Sequence, residues 1–137
     1  MNILLDTHIA LWALVDPSKL DSDVSEMIES PMNRVYYSVA SVWEIAIKHS
    51  IKPDKMPISE ENFVKLCNRT GFILLEIKAE HIFSIKGLKR SENCAKHNDP
   101  FDRVLIAQAK CLGLKLLTSD SLIKQYDESC IMYMAKK

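Results

Sequence analysis

Five carboxylates stand where this sequence changes from one local pattern to another. Asp6 follows NILL, Glu44 sits inside SVWEIAIKHS, Asp99 and Asp102 lie in NDPFDRVLIAQA, and Asp120 follows LKLLTS. Asp99 before Pro100 has the form of a helix N-cap with proline at the first helical position. A helix needs one cap, so a second carboxylate three residues later raises the question of a second task. Each acid alone has a structural use. Asp6 and Asp120 can cap the helices after them, Ser41 and Glu44 fit a capping box, and Asp99 with Asp102 mimics one. Jointly they pose an electrostatic problem. Two carboxylates about 5 Å apart repel by roughly 3 kcal/mol at an effective dielectric near 20, whereas a helix terminus returns about 0.3–1 kcal/mol per acid. Several such pairs in one place require either protonation or a cation among them. Oxygen ligands without His or Cys select a hard ion, Mg²⁺ or Mn²⁺. Capping and metal binding are compatible, and the spacing favours the metal.

Whether these acids meet depends on the elements that carry them. The chain alternates short apolar runs with amphipathic stretches. Strands are expected at 2–6, 34–39, 71–77, 114–119 and 130–134. Helices are expected at 7–15, 21–30 (with Val24, Met27 and Ile28 inward), 41–50, 59–67, 79–88 (with Ile82 and Phe83 inward), 99–112 and in DSLIKQY. Gly113 is placed as the C′ residue of the 99–112 helix. This pattern predicts a single α/β domain over residues 1–137, a three-layer α/β/α arrangement with a central, mostly parallel sheet of about five strands and helices on both faces. In such a sheet the carboxyl ends of the strands share one edge, where ligands bind. Asp6 and Asp120 end strands, and helices that return the chain to the sheet begin at that edge. Four or five carboxylates distant in sequence therefore converge on one crest.

Composition excludes several classes. The 137 residues hold eighteen basic and eighteen acidic side chains, so a nucleic-acid partner would be held by a local patch and not by an overall cationic field. The cysteines Cys67, Cys94, Cys111 and Cys130 form no C-x-x-C pair. Cys67 and Cys111 stand among apolar residues, which points to a reduced cytoplasmic protein and away from a disulfide framework or zinc site. No apolar run approaches a membrane span and MNILLD has no secretory character.

Several neighbours of the acids are candidates for supporting roles. Thr7 and Ser119 flank two of them and can donate hydrogen bonds to them or to phosphate, with ordinary capping as the alternative. Arg103 follows Asp102 and can reach a phosphate or form an outward salt bridge. Lys48, four residues after Glu44, suits a helix-surface pair. His97 reads as a solvated loop histidine. The stretch KGLKRSENCAKH carries Lys86, Lys89, Arg90 and Lys96 against Glu92, and is a candidate RNA-backbone groove or a solvated loop. Trp12 and Trp43, at helical spacing, are expected in the core, with an exposed Trp12 face as a possible dimer contact.

The blocks LLDTHIALWAL, SVWEIAIK, HNDPFDRVLIAQA and LLTSD…QY, in this order and spacing, resemble the PIN-domain family, specifically its small single-domain VapC-type toxins. The resemblance runs from the first strand to the last helix. It implies a metal-dependent ribonuclease with a four-acid site, whose pattern falls on Asp6, Glu44, Asp102 and Asp120. It also implies hydrolysis that leaves a 5′-phosphate, a cognate antitoxin as partner and a homodimer. On this pattern Asp102 is the ligand, while Asp99 caps the helix and assists from behind it. The chain departs from the pattern in having no glycine after WEIAIK, where His49, Ser50 and Ile51 stand. Two other folds of similar alternation fit less well. A response-regulator receiver needs adjacent acids after the first strand and a phosphoacceptor Asp after the third, where Glu76 and Lys78 stand. A haloacid-dehalogenase-type phosphatase needs D-x-D, where this chain has Asp6-Thr7-His8. The alternative in function is the same fold acting as a catalytically weak RNA- or protein-binding module.

Overall fold

The computed structural model describes residues 1–91 and 97–135. Its centre is a five-stranded sheet in the order β3-β2-β1-β4-β5, formed by β1 (Asn2–Leu5), β2 (Arg34–Ser38), β3 (Ile73–Leu75), β4 (Lys115–Thr118) and β5 (Ile131–Tyr133), with every neighbouring pair parallel. The helices are α1 (Thr7–Val15), α2 (Ser22–Glu29), α3 (Val39–Ile51), α4 (Glu60–Thr70), α5 (Ala79–Phe83), α6 (Pro100–Leu112) and α7 (Ser121–Lys124).

Parallel strands buried on both faces explain the unbroken apolar runs of β1 and β4. Side chains alternate between two cores. Ile3, Leu5, Val35, Tyr37 and Leu117 pack with Ile9, Val24 and Phe63 of α1, α2 and α4. Leu4 and Leu116 pack on the opposite face with Leu105, Ile106 and Ala109 of α6. The three-layer α/β/α architecture is thus present. The chain winds from β1 outward to β2 and β3, then crosses back to β4 on the other side of β1. That reversal makes the cleft between the carboxyl ends of β1 and β4 the topological switch point, where open α/β sheets bind ligands.

Some local expectations are corrected. Helix α3 begins at Val39, two residues early, because Ser38 and not Ser41 caps it by accepting from the Ala40 amide. Glu44 therefore lies in the second turn, away from the capping position. The missing glycine after WEIAIK lets α3 run on to Ile51. Helix α5 is only five residues long and passes into a 3-10 turn at Ser84–Gly87. The change of period turns Ile82 and Phe83 outward, with Phe83 66% exposed, and buries His81 instead. Cys111 is exposed, not sheltered among apolar residues. Trp43 is 58% exposed, so of the two tryptophans only Trp12 packs against a core cluster. Gly113 does close α6, with φ +68.

Candidate active site

Asp6 follows β1 directly and is placed by the sheet itself. Its amide donates to the Leu117 carbonyl at 3.0 Å, which carries the β1–β4 ladder one residue past the strand. Its side chain makes no cap bond to α1. Instead Oδ2 accepts from the Thr118 hydroxyl at 2.7 Å, and the same Thr118 oxygen accepts from the Asp120 amide at 3.0 Å. The β1–β4 register, with Leu5 opposite Leu117, places Thr118 beside Asp6. Thr118 was not singled out in the sequence; only the strand pairing identifies it, 112 residues from its partner.

Glu44 is buried on α3. Its Oε2 accepts from Lys48 at 2.6 Å, while Oε1 is buried without a hydrogen-bond partner among the described residues. Lys48 is more than a surface partner. Burial lowers the pKa of its ammonium, but the Glu44 bond and the charges of Glu44, Asp99 and Asp102 outweigh that and raise it.

Asp102 is the third residue of α6 and is buried. Asp99 Oδ1 caps the helix by accepting from the amides of Phe101 at 2.9 Å and Asp102 at 3.0 Å. Asp102 Oδ2 lies 3.1 Å from His97 Nε2, and His97 Nδ1 lies 3.0 Å from the Tyr126 hydroxyl. His97 is buried, which corrects its reading as a solvated loop residue. Its ring packs edge-on against Tyr126, a residue 29 positions later that no local pattern connects to it. Burial lowers the pKa of His97 against the pull of Asp99 and Asp120.

Asp120 caps the short α7, with Oδ1 accepting from the Leu122 amide at 2.8 Å. A pocket of about 490 Å³ opens beside it, lined in part by Asp6, Ser119 and Asp120. Thr7 does not reach an acid. It shares a 2.7 Å hydrogen bond with Ser41 that ties α1 to α3. Arg103 donates to the Ile85 carbonyl at 3.5 Å, and Lys86 and Lys89 are exposed. Arg90 lies over the Tyr126 ring, and its segment pairs with residues 125–127. Lys96 lies outside the described residues.

The four acids act on one another electrostatically. Burial pushes Asp102 up to about 8, helped by the charges of Asp6, Asp99, Glu44 and Asp120. Burial likewise pushes Asp6 up to about 6; Thr118 and His8 pull it back, while Asp120 and Glu44 push further. Among the described residues, no three His, Cys, Asp or Glu side chains are gathered closely enough to hold a metal ion together. One oxygen of each acid is held by a protein group, namely Thr118, Lys48, His97 or the Leu122 amide. An all-carboxylate donor set with an orphaned buried oxygen on Glu44 fits a hard divalent cation.

The sequence matches the model of the PIN domain over residues 3–129. The fold is similar to that in the crystal structure of VapBC2 from Rickettsia felis bound to a DNA fragment from their promoter. The TM-score is 0.65 and the identity 13%, with 100% of each chain covered. No curated protein sequence matches the chain.

Proposed function

The chain belongs to the PIN-domain family, and from that premise we propose that it is a Mg²⁺- or Mn²⁺-dependent endoribonuclease, the VapC-type toxin of a toxin–antitoxin pair. The observation that carries this reading is the burial of mutually repelling carboxylates at the switch point of the sheet. Two of them are pushed far above the carboxylate range and a third has an orphaned oxygen. A fold does not keep such an arrangement for stability, since Asp6 and Asp102, once ionised, oppose folding.

Asp6 and Asp102 would hold the ion directly, Asp120 directly or through water, and Glu44 would orient a water or help hold a second ion. When bound, the ion supplies positive charge for the phosphorus centre and lowers the pKa of a water. The remaining work belongs to the chain. Thr118 fixes one Asp6 oxygen and leaves the other free. Asp99 sets the first turn of α6, and His97, held by Tyr126, fixes the Asp102 carboxylate as outer partners commonly fix metal ligands. Lys48 balances Glu44. Lys86, Lys89, Arg90 and Arg103 serve as backbone contacts for RNA, and Lys96, outside the described residues, is assigned the same role from the sequence. Ser119 offers a hydroxyl beside Asp120, and Thr7 supports the site only through Ser41. A cognate antitoxin covering the acidic edge and a homodimer complete the reading; the similarity in fold to a chain of a VapBC2 structure supports the antitoxin.

The test is incubation with total cellular RNA in Mn²⁺, followed by mapping of new 5′ ends. Discrete 5′-phosphate ends are expected, lost in EDTA and lost in Asp6→Asn with an unchanged circular dichroism spectrum. Cleavage by Asp6→Asn at the parent rate would remove the metal-site reading. RNA binding without any Mn²⁺-restored cleavage would mark a binding module instead.

A further inference from the structure

Three aromatic rings line the pocket that opens on Asp6 and Asp120. The pocket of about 490 Å³ that meets Asp6 and Asp120 is also lined by His8, Trp12 and Tyr133. Its volume is that of a small-ligand cleft, for which about 300–1,000 Å³ is usual. His8 is exposed, and its ring centroid lies 5.9 Å from that of Trp12 at 46°. Trp12 is half-buried and packs against the core cluster of α1 and α2, so its ring is held in place. Tyr133 is half-buried at the end of β5, with the Lys124 ammonium 4.6 Å from its ring centroid. The core needs neither an exposed histidine nor a tyrosine at this edge.

We propose that this pocket receives an unpaired nucleobase of single-stranded RNA, stacked on the His8, Trp12 and Tyr133 rings beside the phosphate that the acids serve. The choice of RNA rests on the ribonuclease reading above. The choice of an unpaired base rests on the pocket. Every base has a π-face, and stacking on aromatic side chains is worth about 1–3 kcal/mol per base. A base in an A-form duplex stays stacked on its neighbours and cannot enter, whereas loops and single strands can splay one out. The Lys124 ammonium beside Tyr133 supplies a cation for the adjoining backbone, and the Ser119 hydroxyl supplies a polar partner for a base edge. The pocket thus selects for unpaired segments, independently of the basic segment around residues 86–90.

Trp12 reports on its own occupancy. The chain has two tryptophans, and Trp43 lies on α3 against Phe101, so Trp43→Phe leaves Trp12 as the only indole. Asp102→Asn is added so that nothing is cut. Saturable quenching of Trp12 is expected with single-stranded hexaribonucleotides. An abasic chain of equal length should bind about 5- to 150-fold more weakly, the stacking range expressed as affinity. His8→Ala and Tyr133→Leu should weaken the base-bearing strands alone. Equal affinity for abasic, duplex and single-stranded forms overturns the proposal. Its fate separates from that of the nuclease reading. Cleavage in Mn²⁺ by the parent with base-independent binding removes the pocket and keeps the nuclease. Base-dependent quenching without cleavage keeps the pocket and removes the nuclease.

Discussion

Asp6 and Asp102 are costly to ionise where they are buried, and this sets how the protein responds to pH. Both carboxyls have an ordinary value of 3.8 and are raised by burial, to about 6 and about 8. Between roughly pH 4 and 8 the folded chain therefore holds more protons than the unfolded one, so stability falls as pH rises through that window. At about 1.4 kcal/mol per unit, the loss is on the order of several kcal/mol for the metal-free protein. Urea unfolding in EDTA should show a midpoint that drops between pH 5 and pH 8. If the proposed site holds it, saturating Mn²⁺ should remove that drop by stabilising the folded form. Asp102→Asn should flatten most of it in EDTA, because the amide keeps a partner for His97 without a charge. A flat profile for the parent protein in EDTA would show that these acids are not crowded. The acids themselves were legible as residue types at strand ends and helix starts. Their partners Thr118 and His97 were not, because one depends on strand register and the other on contact with the distant Tyr126.

At the scale of elements, α6 is the part that brings the third acid to the edge. Its N-terminus is fixed by the two bonds to Asp99. Its body is fixed by Gln108, which accepts from Ser38 at the end of β2 at 2.6 Å and donates to the Glu76 carbonyl at 3.2 Å. Asp99→Ala should cost about 1 kcal/mol of stability, as loss of a cap generally does, and should also weaken Mn²⁺ affinity by loosening the first turn that carries Asp102. Thermal melting with and without Mn²⁺ separates the two effects. A variant with lowered stability but unchanged Mn²⁺ stabilisation would confine Asp99 to capping. The sequence made this helix plain at both ends, through Asp99-Pro100 and Gly113. It misplaced the start of α3, since Ser38 and Ser41 are both acceptable caps and only the end of β2 decides between them.

Across the whole molecule, zero net charge leaves the attraction of the proposed RNA substrate to local features. Lys86 and Lys89 are exposed, while Arg90 is engaged by Tyr126 and Arg103 by the Ile85 carbonyl. Among the described residues, Lys86 and Lys89 are thus the proposed contacts whose replacement disturbs the fold least. Replacing both by Gln should lower the slope of log affinity against log salt by about 1.4, at about 0.7 per phosphate on a single strand. Filter binding across a salt series measures it. An unchanged slope would return the segment to an ordinary solvated surface. None of the described helices is long and apolar enough to cross a membrane.

Alternating apolar runs were enough to determine the parallel sheet with helices on both faces, because burial on two sides leaves a periodicity that a single sequence displays. The same logic gave the expectation that Asp6, Glu44, Asp102 and Asp120 meet at one edge, since parallel strands end there and the helices that follow them begin there. The tertiary structure alone decided the finer matters: which acid oxygens are held by Thr118, Lys48 and His97, that Glu44 keeps one oxygen unpartnered, and that Ile82, Phe83 and Trp43 face outward. Hydrogen bonds between residues far apart in the chain and the exposed side of a short helix depend on packing against other elements. Such packing leaves no local period in the sequence to read.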